Sequence, residues 1–502
     1  MTLDDLPKSV RPTLWGLAVL SLGLLLLVQP SALAQEGAAS EPAAAEVPTA
    51  EGSETETESS EAGDGAAAEE ASTGATIDPW PQFRGPRASG VKLEADLPTS
   101  WNVETGENVA WKTPIPGLGH SSPVVWGDRI FLTTAVDGAG ESSLEVGLYG
   151  RIEPVENEGE IEWRVLALDR RSGEVLWNQV AHRGTPAIKR HTKASHANST
   201  PAVDGERLVV MLGSEGLHAF DHDGELLWKR DLGVLDSGFF QVPEAQWGFA
   251  SSPVLHDGRV LLQVDVQGDS YLAALDATSG ETLWQTARDE VPTWGSPTVA
   301  PRPGDGLQVV VNGWKHIGGY DFETGESLWN FEGGGDIPVP TPVLAGDRVL
   351  ITSAHGAMRP IYAVNLDASG DLGKITSADS PAIAWWYQKA GNYMQTPIVV
   401  GGIAYFCLDN GVFAAYDVAT GDELYKNRLG GGQTGFTASP VANRTHLYQT
   451  SENGDVWVLA TGPEHVEVAR NELGETFMST PAISGDLLLF RARRHLIAIG
   501  TP

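Results

Sequence analysis

At 502 residues the chain is long enough for two or three average domains, but large all-β rings exceed that average, so length leaves the domain count open. The formal net charge is −33, from 33 Lys and Arg against 66 Asp and Glu, which argues against nucleic acid and anionic membrane as partners. The 58 Gly, 31 Pro and 16 Trp, against one Cys and 5 Met, suit many short strands joined by tight turns and pinned by aromatics, not long amphipathic helices.

The N-terminus carries Lys8 and Arg11, an apolar run from Leu14 to Val28, then Pro30 and Ala32-Leu33-Ala34 before Gln35. That order predicts a signal peptide over residues 1–34 and export to the periplasm or the cell exterior. The run is shorter than the roughly 20 residues a spanning helix needs, so no membrane span is expected after cleavage. No Cys follows the cleavage site, so lipidation is not expected. Residues 35–77 form the next segment. From Glu36 onward it has ten Glu and Asp64 but no Lys, Arg or aromatic residue, so it cannot bury enough apolar surface to order itself and reads as a disordered acidic linker. The folded part is expected over 78–502. The lone Cys407, in Ala404-Tyr405-Phe406-Cys407-Leu408, allows no internal disulfide and reads as a core residue.

One unit then repeats around the chain. It opens with Ser/Thr-Pro, at Pro123, Pro201, Pro253, Pro297, Pro342, Pro397, Pro440 and Pro481. Its second half reads Ala-x-Asp, a Gly turn and Leu-Trp, clearest in Ala167-Leu168-Asp169…Gly173…Leu176-Trp177 and Ala274-Leu275-Asp276…Gly280…Leu283-Trp284. The small residue and the Gly leave room for an indole to lie on backbone, the Asp accepts turn N–H groups, and the Trp buries a large face between neighbours. Asn108-Val109-Ala110-Trp111-Lys112 is an orphan Trp strand ahead of the first mark, whereas no Leu-Trp strand follows His495-Leu496-Ile497-Ala498-Ile499. The spacing therefore predicts an all-β, eight-bladed β-propeller of four-stranded antiparallel blades, with the N-terminal strand closing the last blade. Three copies depart from the pattern. Blade one carries a long insertion from about Val136 to Glu162, blade five a Gly/Asp/Ser-rich loop before Trp385, and the outer strand of blade seven, His465-Val466-Glu467-Val468, has no Trp.

The Ala-x-Asp-x-x-x-Gly-x-x-x-Trp units resemble the tryptophan-docking repeat of the PQQ-dependent, quinoprotein alcohol dehydrogenases and of the BamB-type propeller of outer-membrane protein assembly. The resemblance covers about residues 78–502 and implies the propeller fold, but not by itself a function. The opening Trp80-Pro81-Gln82-Phe83-Arg84-Gly85-Pro86 is similar to the start of exported PQQ-like propellers. Here Trp80 and Phe83 would strap a lid across the ring, or Arg84 would pair with an acidic rim group. Quinoprotein dehydrogenases pair a carboxylate base with a calcium-bound quinone, and many add a disulfide of adjacent Cys, which a chain with one Cys lacks. There is no Cys-x-x-Cys-His, no Gly-x-Ser-x-Gly elbow and no His-Glu-x-x-His pair, so no catalytic or metal-binding residue is assigned.

Candidate binding residues lie just ahead of the inner strands, where a propeller brings its loops to one mouth of the channel: His120, His196, Asn198, Phe249, Trp294, Tyr393, Gln395, Phe436 and Phe477. Aromatic faces with a few polar groups suit a small ligand, or simply plug the channel. The one basic cluster, Lys189 to Asn198 with Arg190, His191 and Lys193, could hold a carboxylated ligand such as a quinone or acidic sugar, or be a solvated loop. Trp314-Lys315-His316 could stack on a flat ligand. The expected function is a non-catalytic binding or scaffold protein with a protein or polymer partner on its rim. The alternative is an oxidoreductase of alcohols or sugars using PQQ with calcium.

Overall fold

Every Ser/Thr-Pro mark opens a short inner strand, and three further strands follow it outward. The computed structural model describes residues 79–502 apart from 149–150, 157, 305 and 376–379. The expected signal peptide and acidic linker lie outside the described residues. Blade one comprises Val124–Trp126, Arg129–Asp137, Ile161–Asp169 and Val175–Gly184, paired antiparallel in that order. Seven more sheets repeat the arrangement, so the chain is an eight-bladed β-propeller. The inner three strands are largely buried and the outermost is largely exposed, as the apolar-to-polar gradient of the repeat requires.

The motif residues do the jobs their chemistry suggests. Asp169 Oδ1 accepts the N–H groups of Arg171 and Ser172 at 3.0 and 2.8 Å, and Asp276 accepts those of Thr278 and Ser279 at 2.9 and 2.8 Å. These bonds close the turn that delivers Gly173 or Gly280 at φ +72, where only Gly is free of strain. The indole of the preceding blade lies on that Gly: Trp228 covers Gly280 and Trp284 covers Gly325. Each Nε1 donates to a carbonyl of the same turn, Trp228 to Ala277 at 2.9 Å and Trp284 to Phe322 at 3.0 Å. Where the pattern is intact, docking thus couples a blade to the next by apolar burial plus one directed bond, whereas Trp329 of blade four turns to Gln308 of its own blade.

Closure follows the same rule. The orphan strand Val109–Pro114 pairs antiparallel with His495–Gly500 and becomes the outer strand of blade eight. Its Trp111 docks on Gly173 of blade one and donates to Arg170 O at 3.0 Å. Two degenerate copies are repaired from elsewhere in the chain. The blade-five insertion returns Gly370–Lys374 as a fifth strand, parallel to Ser327–Glu332 of blade four. Near the outer strand of blade seven, which lacks Trp, Trp101 joins the core cluster shared with blade eight, its ring 5.8 Å from Phe490 and its backbone N–H on Asn471 Oδ1 at 3.0 Å.

At the centre the eight hydroxyl residues of the marks link neighbouring blades. Ser122 N–H donates to Thr200 Oγ1, Thr200 to Ser252, Ser252 to Ser296 and Ser296 to Thr341, at 2.9 to 3.2 Å. Thr341 continues to Thr396, Thr396 to Ser439 and Ser439 to Thr480, at 2.9 to 3.1 Å. Seven links are made, and at the eighth, between blades eight and one, Ser122 Oγ is buried without a partner.

Candidate functional site

The segment from Trp80 to Ala95 crosses the ring. Trp80 exchanges backbone bonds with Val125 of blade one, Val203 of blade two donates to Pro81 O at 2.7 Å, and Gly90 and Lys92 bond Ala442 of blade seven. Between those ends Arg84, fully buried, donates to the carbonyls of Thr396, Pro397 and Pro440 at 2.9, 2.9 and 3.3 Å. Its partners are carbonyls and no rim carboxylate, so the strap with Trp80 and Phe83 is what forms.

A cavity of about 430 Å³ occupies the channel, with Phe83 and the hydroxyl ring among its lining residues. One wall is aromatic. Trp247 stacks on Phe239 with centroids 5.1 Å apart and stands 5.2 Å from Trp294, whose Nε1 donates to Gly248 O at 3.0 Å. His355 closes on Phe239 at 5.8 Å and on Tyr393 at 6.1 Å. Phe239 and Trp247 come from the hairpin Gly238–Phe239 and Val242–Gln246 and the residue after it, inserted between blades two and three. Arg151, His191 and Lys193 add basic groups to the lining, with His191 edge-on to Trp247 at 6.1 Å, and there Ile152, 67% exposed, meets solvent. Burial pulls the His120 imidazole down to about 4, helped by the cations Arg190 and Arg491, and lowers His191 likewise. Asp409, the one carboxylate lining the cavity among the described residues, is raised by burial.

Of the residues singled out from the sequence, His191, Lys193, Asn198, Trp294 and Tyr393 come together in this cavity, with His120 and Phe436. Lys193 spans it, its Nζ on Glu452 at 2.7 Å and on the Gly147 carbonyl of the blade-one insertion. Arg190 and His196 are not among the lining residues and share Glu158 of that insertion, at 2.8 Å each. Gln395 is buried behind the wall with its Nε2 on Phe436 O, while Phe249 and Phe477 fill the cores between blades. Trp314 packs on Phe240, and Lys315 pairs with Asp289 at 2.9 Å outside the cavity. Sequence reasoning missed Phe239, Trp247 and His355. The usable signal was the aromatic-rich stretch between Arg230 and Val254, too long for a blade connection.

A family model described as outer membrane protein assembly factor BamB matches residues 161–427, more than half of the chain. The chain belongs to that family. Two curated relatives carry the same name. The one from Alteromonas naphthalenivorans is 28% identical over 273 residues, 48% of this chain and 62% of that protein. The one from Burkholderia pseudomallei (strain K96243) is 23% identical over 334 residues, 63% of this chain and 73% of that protein. The chain therefore spans less than two thirds of the first relative's length. Among solved structures, BamB from Moraxella catarrhalis superposes with a TM-score of 0.53 at 14% identity, over 78% of this chain and 99% of that one. A europium-containing methanol dehydrogenase gives 0.58 at 11% identity, over 84% and 89%. At such identities the likeness is one of fold.

The calcium-bound quinone implied by the dehydrogenase resemblance can be tested on the donor set. A hard dication takes six to eight oxygens, several of them carboxylate. The cavity offers Asp409 alone, and Glu452 beside it is already neutralised by Lys193. Among the described residues no three His, Cys, Asp or Glu stand close enough to share a metal. Cys407 is single and buried. These residues do not fit that group.

Proposed function

We propose that the chain is an exported ring scaffold that holds an extended segment of a partner protein on the outer edge of its blades, in the service of envelope protein assembly. Blade four carries this reading. Its outer edge is completed by the fifth strand Gly370–Lys374, and Leu328 there is partly buried. Among the described residues nothing adds a strand to the same edge of blades one to three, where Leu176, Leu227 and Leu283 are each 47 to 49% exposed at the position before the docked Trp. An open strand edge with apolar side chains accepts another strand through backbone hydrogen bonds. The outer strand of blade one, Val175–Gly184, is ten residues long and adds the exposed Val180. The name of the relatives, an assembly factor of outer membrane proteins, supports a strand-forming partner, and the leader-like N-terminus supports export. Among the described residues no helix is long and apolar enough to cross a membrane.

Fluorescence anisotropy with a labelled ten-residue peptide of alternating apolar and polar residues tests the reading. Saturable binding is expected, weakened at least tenfold by the L176K/V180K double substitution with the thermal midpoint unchanged. Equal binding by variant and parent, or none by either, would remove blade one as the docking edge.

A second reading, a small-molecule receptor without turnover, is favoured by Trp247, whose Nε1 is buried beside the cavity without an acceptor. A flat ligand with a carbonyl or carboxylate group would satisfy that N–H and face Lys193. Native mass spectrometry of the exported protein checks it. A bound small molecule, lost in Trp247→Phe, is the expected result, and an empty ring refutes it.

A further inference from the structure

At the seam where blade eight meets blade one, the guanidinium of Arg491 is stranded. The residue ends the strand Leu487–Arg491 and is 1% exposed. Nη1 donates to Ala492 O at 2.8 Å, but Nε and Nη2 are buried with no acceptor among the described residues. Among the described residues no carboxylate lies within ion-pair distance of it. Burial first and then the nearby Arg493 lower its pKa; the one carboxylate that opposes them, Glu475, is itself paired with Lys112 at 2.9 Å and with His495, and Arg190 Nη2 is also buried and unpartnered.

Buried donors in native proteins are met by protein, water or an ion, and a buried charge is met by an opposite one. The same guanidinium lines a side pocket of about 10 Å³, shared with His120, Ser479, Arg493 and Met478, which has room for one water-sized or halide-sized occupant. Water would satisfy the N–H groups and leave the positive charge without a counter-ion in contact, Glu475 acting only from beyond ion-pair distance. A monatomic anion satisfies both. We infer that this seam pocket binds one small monatomic anion, chloride under physiological conditions, on Nε and Nη2 of Arg491.

The place explains why an ion is used. Here the ring of hydroxyl links is broken, with Ser122 Oγ unpartnered, and the pocket is built from blade eight on one side and the entry to blade one on the other. An anion at this point bridges the two ends of the closed chain.

Crystals of the protein grown in sodium bromide and measured at the bromine edge decide the matter on the unaltered chain. An anomalous peak within hydrogen-bonding distance of Arg491 is expected. In parallel, the thermal midpoint should rise with chloride or bromide but not with gluconate, too large for the pocket, at equal ionic strength, since a ligand of the folded state alone stabilises it. Arg491→Met should abolish that difference. No bromide peak at Arg491, whatever the melting data show, assigns the pocket to water and overturns the proposal. Failure of peptide binding at blade one would leave this result untouched.

Discussion

Arg84→Met is the perturbation that most directly tests how the strap is held. Arg84 makes five bonds from one guanidinium, adding Ala88 O at 3.1 Å and Ser89 O at 3.2 Å to the three carbonyls of blades six and seven. Bonds from a charged donor contribute about 1.5–3 kcal/mol each, so the set is worth roughly 8–15 kcal/mol. Burial opposes this. It pulls the guanidinium well below its ordinary value, to about 9, a cost of about 5 kcal/mol at 1.36 kcal/mol per pH unit, while leaving the group charged at neutral pH. The difference leaves at least about 3 kcal/mol anchoring a segment whose Arg84, Arg87 and Ala88 all sit at positive φ, a conformation that does not hold itself. Limited trypsinolysis reads the anchor, because Arg87 and Lys92 become cleavable only when the strap lifts. If cleavage follows the open population, a loss of about 3 kcal/mol speeds it on the order of 100-fold. Urea unfolding should show a matching loss. A variant cut no faster than the parent, and unfolding within about 0.5 kcal/mol of it, would refute the claim that Arg84 holds the strap.

Other consequences are open to measurement. Gly280→Ala places a Cβ 2.7 Å from the Trp228 ring and should destabilise by about 2–4 kcal/mol, whereas Gly258→Ala, at the same φ of +72 with open space around it, should cost about 1–2 kcal/mol; equal thermal shifts would mean the indole does not need that Gly. His120 is held at about 4 in the fold against 6.5 unfolded, so only the unfolded chain takes up that proton as the pH falls from 6.5 to 4. Stability should decline across that window by about 3 kcal/mol. His120→Gln should flatten the decline and leave a residual slope from His218, also near 4; an unchanged slope in chemical denaturation would contradict the assignment. Trp101→Ala should cost about 3–5 kcal/mol if that indole substitutes for the missing tryptophan of blade seven, and calorimetry showing under about 1 kcal/mol would remove it from the core.

The site was legible in part. His191, Lys193, Asn198, Trp294 and Tyr393 were placed on the cavity by their position ahead of the inner strands, which the ring geometry carries to one mouth. Arg190 and His196 occupy the same cluster, yet both pair with Glu158 and neither lines the cavity. That carboxylate comes from the blade-one insertion, whose sequence follows no repeat and so gives no register from which its partners could be read. Lys315 and Trp314 do not line the cavity, and their neighbours Asp289 and Phe240 likewise lie in connections outside the repeat.

Blade number, strand order and ring closure were determined by the sequence alone, because the features that specify them are local or strictly periodic. An Asp caps its own turn, a Gly supplies its own positive φ, and the orphan strand around Trp111 matches the one place where an outer strand is lacking. Only the tertiary structure decided that Trp101 packs beside blade seven, whose outer strand lacks Trp, that Gly370–Lys374 doubles back onto blade four, and that Arg84 and Arg491 are buried cations with opposite fates. Arg84 meets five carbonyls and Arg491 meets one, a difference set by partners hundreds of residues away or by the seam itself. Contacts of that kind depend on where closure brings the chain ends, and no short-range pattern encodes them.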